Sequence, residues 1–224
     1  MSLSRLKQGL FGRLLHDAAP EWNAYTRHGF LTALAAGTLP QADFRAYLVQ
    51  DYLYLIQFAR AYALALYKSS GLAEMGRMAN AIAAVLAEMP LHVGLCESWG
   101  LTEADMQAAP ESTALLAYSR FLLDCGQRGD LLDLLTALSV CVVGYGDIGA
   151  RLLADPATML AGNPYRAWIE TYGGPAYLRV AEDALETLHD VAATRFSEGR
   201  YPELLGIFRI ACRLEAEFWQ AGRR

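Results

Sequence analysis

The chain has 224 residues, a formal charge of −5 and a pI near 5.4, so it lacks the basic footprint that phosphate backbones require, and no nucleic-acid partner is expected. Hydrophobic residues make up 54% of it and charged ones 19%, which predicts one core over residues 1–224 with apolar surface left for a homo-oligomer. The longest uncharged apolar stretch, from Asp133 to Asp147, falls short of the roughly 20 residues of a bilayer crossing, and no signal-peptide pattern opens the chain, so a soluble, cytoplasmic protein is expected.

Apolar residues recur at helical spacing almost throughout, whereas alternating strand-like runs are hard to find. The pattern predicts an all-α, single-domain helical bundle, with helices over 4–18, 21–36, 41–69, 72–98, 111–127, 130–153, 164–171, 175–195 and 200–221. Gly37-Thr38-Leu39-Pro40 precedes the third of these, Gly71 follows it, and Asn163-Pro164 and Gly173-Gly174-Pro175 bracket the seventh. No linker, fixed-period repeat or low-complexity segment divides the chain. Arg223-Arg224 is a local basic end.

In chain order, His16 and His28 read as surface or capping residues. Asp51, in FRAYLVQDYLYLIQFAR, shares a helical stripe with Tyr47, Leu55 and Phe58, so a carboxylate stands where a hydrophobe belongs. Burial of an unpaired charge is costly, which requires for Asp51 either a basic partner, such as an arginine, or a polar ligand. Tyr54 follows one turn later. Glu88 and His92 flank Pro90, whose expected break weakens any shared metal-binding face. Tyr118 lies on ALLAYSRFLLD with Leu115 and Phe121.

Cys141 shares an interior stripe with Ala137, Leu138, Tyr145 and Ile148. Gly144, Gly146 and Gly149 follow it in the same helix, where each costs about 1 kcal/mol relative to alanine. Close approach of a neighbouring helix would offset that cost, and so would room for a flat ligand beside the thiol. Cys96, Cys125 and Cys212 read as inert free thiols, because no C-x-x-C pair is present. Tyr172 ends AWIETYGGP; several buried phenols suit a planar heterocycle.

Glu186 and His189 have the spacing of a di-metal motif but fall with Glu182 on a polar face, so no metal site is expected. In FRIACRLEAEFW, Glu215 shares a stripe with Phe208, Ala211, Phe218 and Trp219, while Glu217 sits with Arg213 and Gln220 on a solvated face. Two inward acids, a thiol and several tyrosines form a candidate acid–base site.

These blocks together, QDYLYLIQFAR at 50–60, AEMPLH at 87–92, Tyr118, CVVGYGDIG, NPYRAWIETYGG at 163–174 and LEAEFW at 214–219, make the chain resemble the TenA/thiaminase II family over nearly its whole length. The resemblance implies a haem-oxygenase-like fold, membership of the cysteine-containing class and a homotetramer, with no cofactor. It implies hydrolysis at the methylene of an aminopyrimidine, releasing 4-amino-5-hydroxymethyl-2-methylpyrimidine from an aminomethyl breakdown product of thiamine or from thiamine itself. On the matching positions it makes Cys141 the nucleophile, Glu215 the acid–base residue and Asp51 the pyrimidine ligand, with Tyr54, Tyr118, Tyr145 and Tyr172 lining the pocket. The chain departs from the family around Cys141, where Val140, Val142, Val143, Gly144 and Gly146 stand in place of proline and larger aromatics, where Asp147 replaces glutamate, and where Leu214 precedes Glu215. A roomier or reshaped pocket is the corresponding expectation. Two other readings stay open: a non-catalytic pyrimidine-binding regulator, and a metal enzyme on the same type of bundle.

Overall fold

The computed structural model describes residues 8–221. Among the described residues there are eleven α-helices and no strand: α1 Gly9–Asp17, α2 Ala19–Thr26, α3 Gly29–Ala35, α4 Gln41–Tyr67, α5 Leu72–Ser98, α6 Glu103–Ala108, α7 Thr113–Arg128, α8 Leu131–Ala154, α9 Arg166–Gly173, α10 Pro175–Arg195 and α11 Tyr201–Ala221. The start of the first predicted helix, before residue 8, and Arg223-Arg224 lie outside the described residues.

Two elements differ from the sequence reading, and one expected weakness in a helix is absent. The helix expected over 21–36 is two, because His28 takes an extended backbone and its Nδ1 accepts from the Phe30 amide at 3.2 Å, starting a new helix at Gly29. The unexpected α6 is set by a capping box: the Thr102 hydroxyl accepts from the Asp105 amide and the Asp105 carboxylate accepts from the Thr102 amide. Pro90 does not break α5, which runs through it.

The helices fall into two compact units. The first comprises the chain up to Leu39 with Leu135–Ala216. Its core holds Phe11, Trp22 and Phe208, with Phe11 edge-on to Trp22 at 5.8 Å and Trp22 stacked on Phe208 at 5.9 Å. Asn163 ties the loop before α9 to α3, its side-chain amide donating to the carbonyls of Leu34 and Met159 at 3.0 and 2.7 Å. The second unit comprises Pro40–Leu134 with the segment from Glu217. There α4 packs against α5, α6 and α7. Gln50 accepts from the Ser112 amide at 2.8 Å and Gln57 donates to Glu111 at 2.7 Å, which ties α4 to the start of α7.

Two helices, α5 and α8, are long and apolar enough by length and composition to cross a membrane, which the uncharged run between Asp133 and Asp147 alone did not indicate. The apolar window of α8 is 94% buried within the protein, as in a core helix, whereas that of α5 is 18% buried, with Leu72 and Leu86 exposed.

Within the first unit, α8 and α9 meet backbone to backbone. A Cβ added at Gly149 would stand 2.3 Å from the Gly173 nitrogen and the Tyr172 carbonyl carbon, atoms that no side-chain rotation can move aside. Gly149→Ala is therefore expected to cost about 3 kcal/mol or more, lowering Tm by roughly 6–12 °C. Gly206→Ala on α11, whose added Cβ meets nothing within 4 Å, is expected to be neutral or to stabilise by up to about 1 kcal/mol. Thermal melts of the two variants check this, and equal melting points would contradict it.

Candidate active site

In the first unit, α8 carries Cys141 and Tyr145 one turn apart, and both are buried, the cysteine at 8% exposure. The approach at Gly149 and Gly173 brings Tyr172 of α9 against Tyr145, ring centroids 4.9 Å apart in an edge-on arrangement. Trp168 lies 4.7 Å and Tyr177 4.8 Å from the Tyr172 ring. Trp168 and Tyr177 escaped the sequence reading, although Trp168 belongs to the NPYRAWIETYGG block and lies one helical turn before Tyr172.

The glycines after Cys141 serve packing. A Cβ at Gly144 would come within 2.4 Å of the Tyr25 ring, and one at Gly146 within 3.1 Å of Ala181. The room left at Gly144 is thus filled by Tyr25 of α2, which corrects the expectation of a roomier pocket there. Asp147 belongs to a structural cluster: burial raises its pKa, while the charge of Arg151, a hydrogen bond from Trp22 and the charge of Arg27 oppose that rise. Arg151 in turn donates to the Thr26 carbonyl.

Glu215 on α11 is also in the first unit and retains 2% of its surface, whereas Glu217 is exposed, as the stripe pattern requires. Burial pushes the Cys212 thiol well up, with the charges of Glu215 and Glu21 adding to it. Burial likewise raises Cys96 to about 12 and Cys125 to about 11, and a thiol held there supplies no thiolate at neutral pH.

In the second unit, Asp51 of α4 retains 3% exposure. Its partner is not an arginine. The Tyr47 hydroxyl donates to Oδ2 at 3.1 Å, and Nδ1 of His92, from α5, lies 3.6 Å from the same oxygen. Burial raises the Asp51 pKa to about 7, with the Tyr47 hydrogen bond working against it. Tyr54 stacks on Tyr118 of α7 with centroids 5.1 Å apart and planes 20° from parallel, and Phe58 and Phe218 flank it at 5.3 and 5.8 Å. The spacing had marked His92 only as a doubtful metal ligand. Its true place follows from the unbroken α5, which turns it toward α4.

The remaining histidines have other occupations. His16 is exposed beside Asp17, and His28 caps α3. His189 is half-buried against Gly9 of α1 rather than on a solvated face with Glu186. Among the described residues no group of three or more His, Cys, Asp or Glu side chains could hold a metal ion.

Helices throughout, with inward acids and a buried thiol on long core helices, define an all-α protein, and its fold is the haem-oxygenase-like one of a solved structure. A domain of unknown function with that fold from Shewanella denitrificans superposes with a TM-score of 0.74 at 16% identity, covering 94% of this chain and 90% of the other. The chain belongs to the TENA/THI-4/PQQC family, whose model matches residues 15–224. It is 33% identical over 208 residues to an aminopyrimidine aminohydrolase of Halalkalibacterium halodurans, covering 92% of each chain. It is also 43% identical, with a TM-score of 0.92 and 98% of each chain covered, to a crystal structure described as a TenA family transcription regulator from Silicibacter.

Asp51 couples stability to pH. An acid whose folded pKa lies above its unfolded value loses stability as pH rises between the two, here from near 4 to about 7, and the full cost, on the order of 4 kcal/mol, is present above that window. Asp51→Asn is expected to be more stable than wild type by about 1–4 kcal/mol at pH 8, with the difference shrinking toward pH 4. Denaturant titrations at the two pH values check this, and a variant less stable than wild type at pH 8 would contradict it.

Proposed function

We propose that this chain is an aminopyrimidine hydrolase of the thiaminase II type, acting in thiamine salvage through Cys141 and Glu215. The observation that carries the proposal is the burial of Asp51 on the inward face of α4, with Tyr47 donating to its Oδ2 and Nδ1 of His92 3.6 Å from the same oxygen. A carboxyl group kept in the core at that cost suits the amino group of a ring-shaped ligand.

In the proposed reaction the Cys141 thiolate adds to the pyrimidine ring as Glu215 gives a proton to a ring nitrogen. The methylene substituent then leaves with its electron pair, as ammonia or as the thiazole. Water adds to the methylene carbon and releases a proton to solvent, and the ring nitrogen returns its proton to Glu215 as the sulfur is expelled. The net change replaces the leaving group by hydroxyl and regenerates the thiolate. Asp51 accepts a hydrogen bond from the ring's amino group; Tyr54, Tyr118, Tyr145 and Tyr172 supply aromatic walls, and Tyr118 or Tyr145 assists the thiol. No metal or other cofactor has a part in this scheme. We further read residues 1–224 as one functional domain of a cytoplasmic homotetramer; the exposed apolar face of α5 supports the self-association in that reading.

Purified protein incubated with the aminomethyl breakdown product of thiamine, and with thiamine, should release 4-amino-5-hydroxymethyl-2-methylpyrimidine. Cys141→Ser should abolish release, and Glu215→Gln should lower kcat by about 10²–10⁴. No release from either compound, with tight binding of the pyrimidine, would favour the alternative of a non-catalytic regulator, the kind of role in the Silicibacter protein's description. Light scattering should give four copies of the 24.6 kDa chain, and a monomer would contradict the tetramer.

A further inference from the structure

His92 is buried on α5, and its two ring nitrogens face different partners. Nε2 lies 3.1 Å from the Leu48 carbonyl oxygen, which can only accept, so Nε2 carries a hydrogen. Nδ1 lies 3.6 Å from Oδ2 of Asp51. In a neutral imidazole Nδ1 is then a bare lone pair, and an ionised carboxylate opposite it would be repelled. Two arrangements relieve the conflict: Asp51 protonated on Oδ2, or a carboxylate facing an imidazolium. Both give the pair a single proton on the side where Nδ1 and Oδ2 face each other, at a separation longer than a hydrogen bond.

The position of that proton matters for Oδ1. With the proton held on the His92 side, Oδ1 is an acceptor in either arrangement, as a carbonyl oxygen or as a carboxylate oxygen. Without His92, a protonated Asp51 is free to carry its hydrogen on Oδ1, where it would point at the N–H of an incoming amino group. Resting on the assignment of Asp51 to the pyrimidine's amino group, we propose that His92 is a positioning residue that keeps Oδ1 of Asp51 an acceptor.

Burial favours the neutral form of each partner, raising Asp51 and lowering His92, which is consistent with one proton for the pair. The other titratable groups about the pair are Tyr47 of α4 and Cys96 and Glu88 of α5. The Tyr47 phenol donates to Oδ2, Cys96 stays a thiol at neutral pH, and the charge of Glu88 favours the imidazolium.

The test is calorimetric binding of 4-amino-5-hydroxymethyl-2-methylpyrimidine to the full chain at pH 5.5 and pH 8, with folding checked by circular dichroism. His92→Leu should weaken binding at least ~10-fold at pH 5.5, where Asp51 is protonated, and less at pH 8, where it is ionised. His92→Asn, which can keep an acceptor near Oδ2, should stay closer to wild type. KM should rise with the dissociation constant while kcat changes less. A folded His92→Leu protein that binds like wild type at pH 5.5, while Asp51→Asn has lost affinity, would overturn the inference and leave the role of Asp51 standing. Wild-type binding by Asp51→Asn as well would overturn both. Should His92→Leu fail to fold, ¹⁵N spectra of the wild-type imidazole decide: hydrogen on Nε2 supports the proposal, and a neutral ring with its hydrogen on Nδ1 overturns it.

Discussion

A carboxyl group with almost no access to water constrains the second unit. Asp51 sits on the inward stripe of α4, and burial there penalises its charged form by several kcal/mol. What surrounds it reads as the compensation: a phenol from its own helix and an imidazole from α5, both directed at Oδ2. A leucine at this position would make a more stable helix pair. Retention of the acid makes sense where its second oxygen meets a ligand, the usual exchange of stability for function.

The first unit is governed by a different constraint, the close approach of α8 and α9. Gly149 and Gly173 let two backbones touch, and that contact seats the rings of Tyr145, Trp168 and Tyr172 against one another. The run VVGYGDIG is therefore read most directly as packing. Tyr25 fills the space beside Gly144, Ala181 stands beside Gly146, and Asp147 joins Trp22 and Arg151. Gly144, Gly146 and Asp147, three of the positions read as departures from the resemblance, thus have packing or electrostatic partners within this unit.

Much of this was legible in the sequence because helical periodicity reports burial. The stripes placed Asp51, Cys141, Tyr145 and Glu215 inward and Glu217 outward, and each is where its stripe put it. Periodicity assigns a residue to a face but does not identify what lies opposite. It could not show that the partners of Asp51 are Tyr47 and His92 rather than an arginine. Nor could it show that Tyr25, 119 residues before Gly144 in the chain, occupies the place beside it. Local capping chemistry was a second gap: Thr102-x-x-Asp105 signals α6, and His28-Gly29 signals the break between α2 and α3, yet both are short patterns that a longer apolar period obscures. Pro90 misled in the opposite sense, since tertiary packing carries α5 through it.

The central claim is that Asp51 is a buried acid, protonated to near neutrality and held for a ligand. Infrared difference spectra of ¹³C-aspartate-labelled wild type against Asp51→Asn isolate its carboxyl stretch between pH 5 and 9, with and without 4-amino-5-hydroxymethyl-2-methylpyrimidine. The protonated band should persist until about pH 7 and should shift when the pyrimidine binds. An ionised band already complete at pH 5, unmoved by the pyrimidine, would contradict the claim.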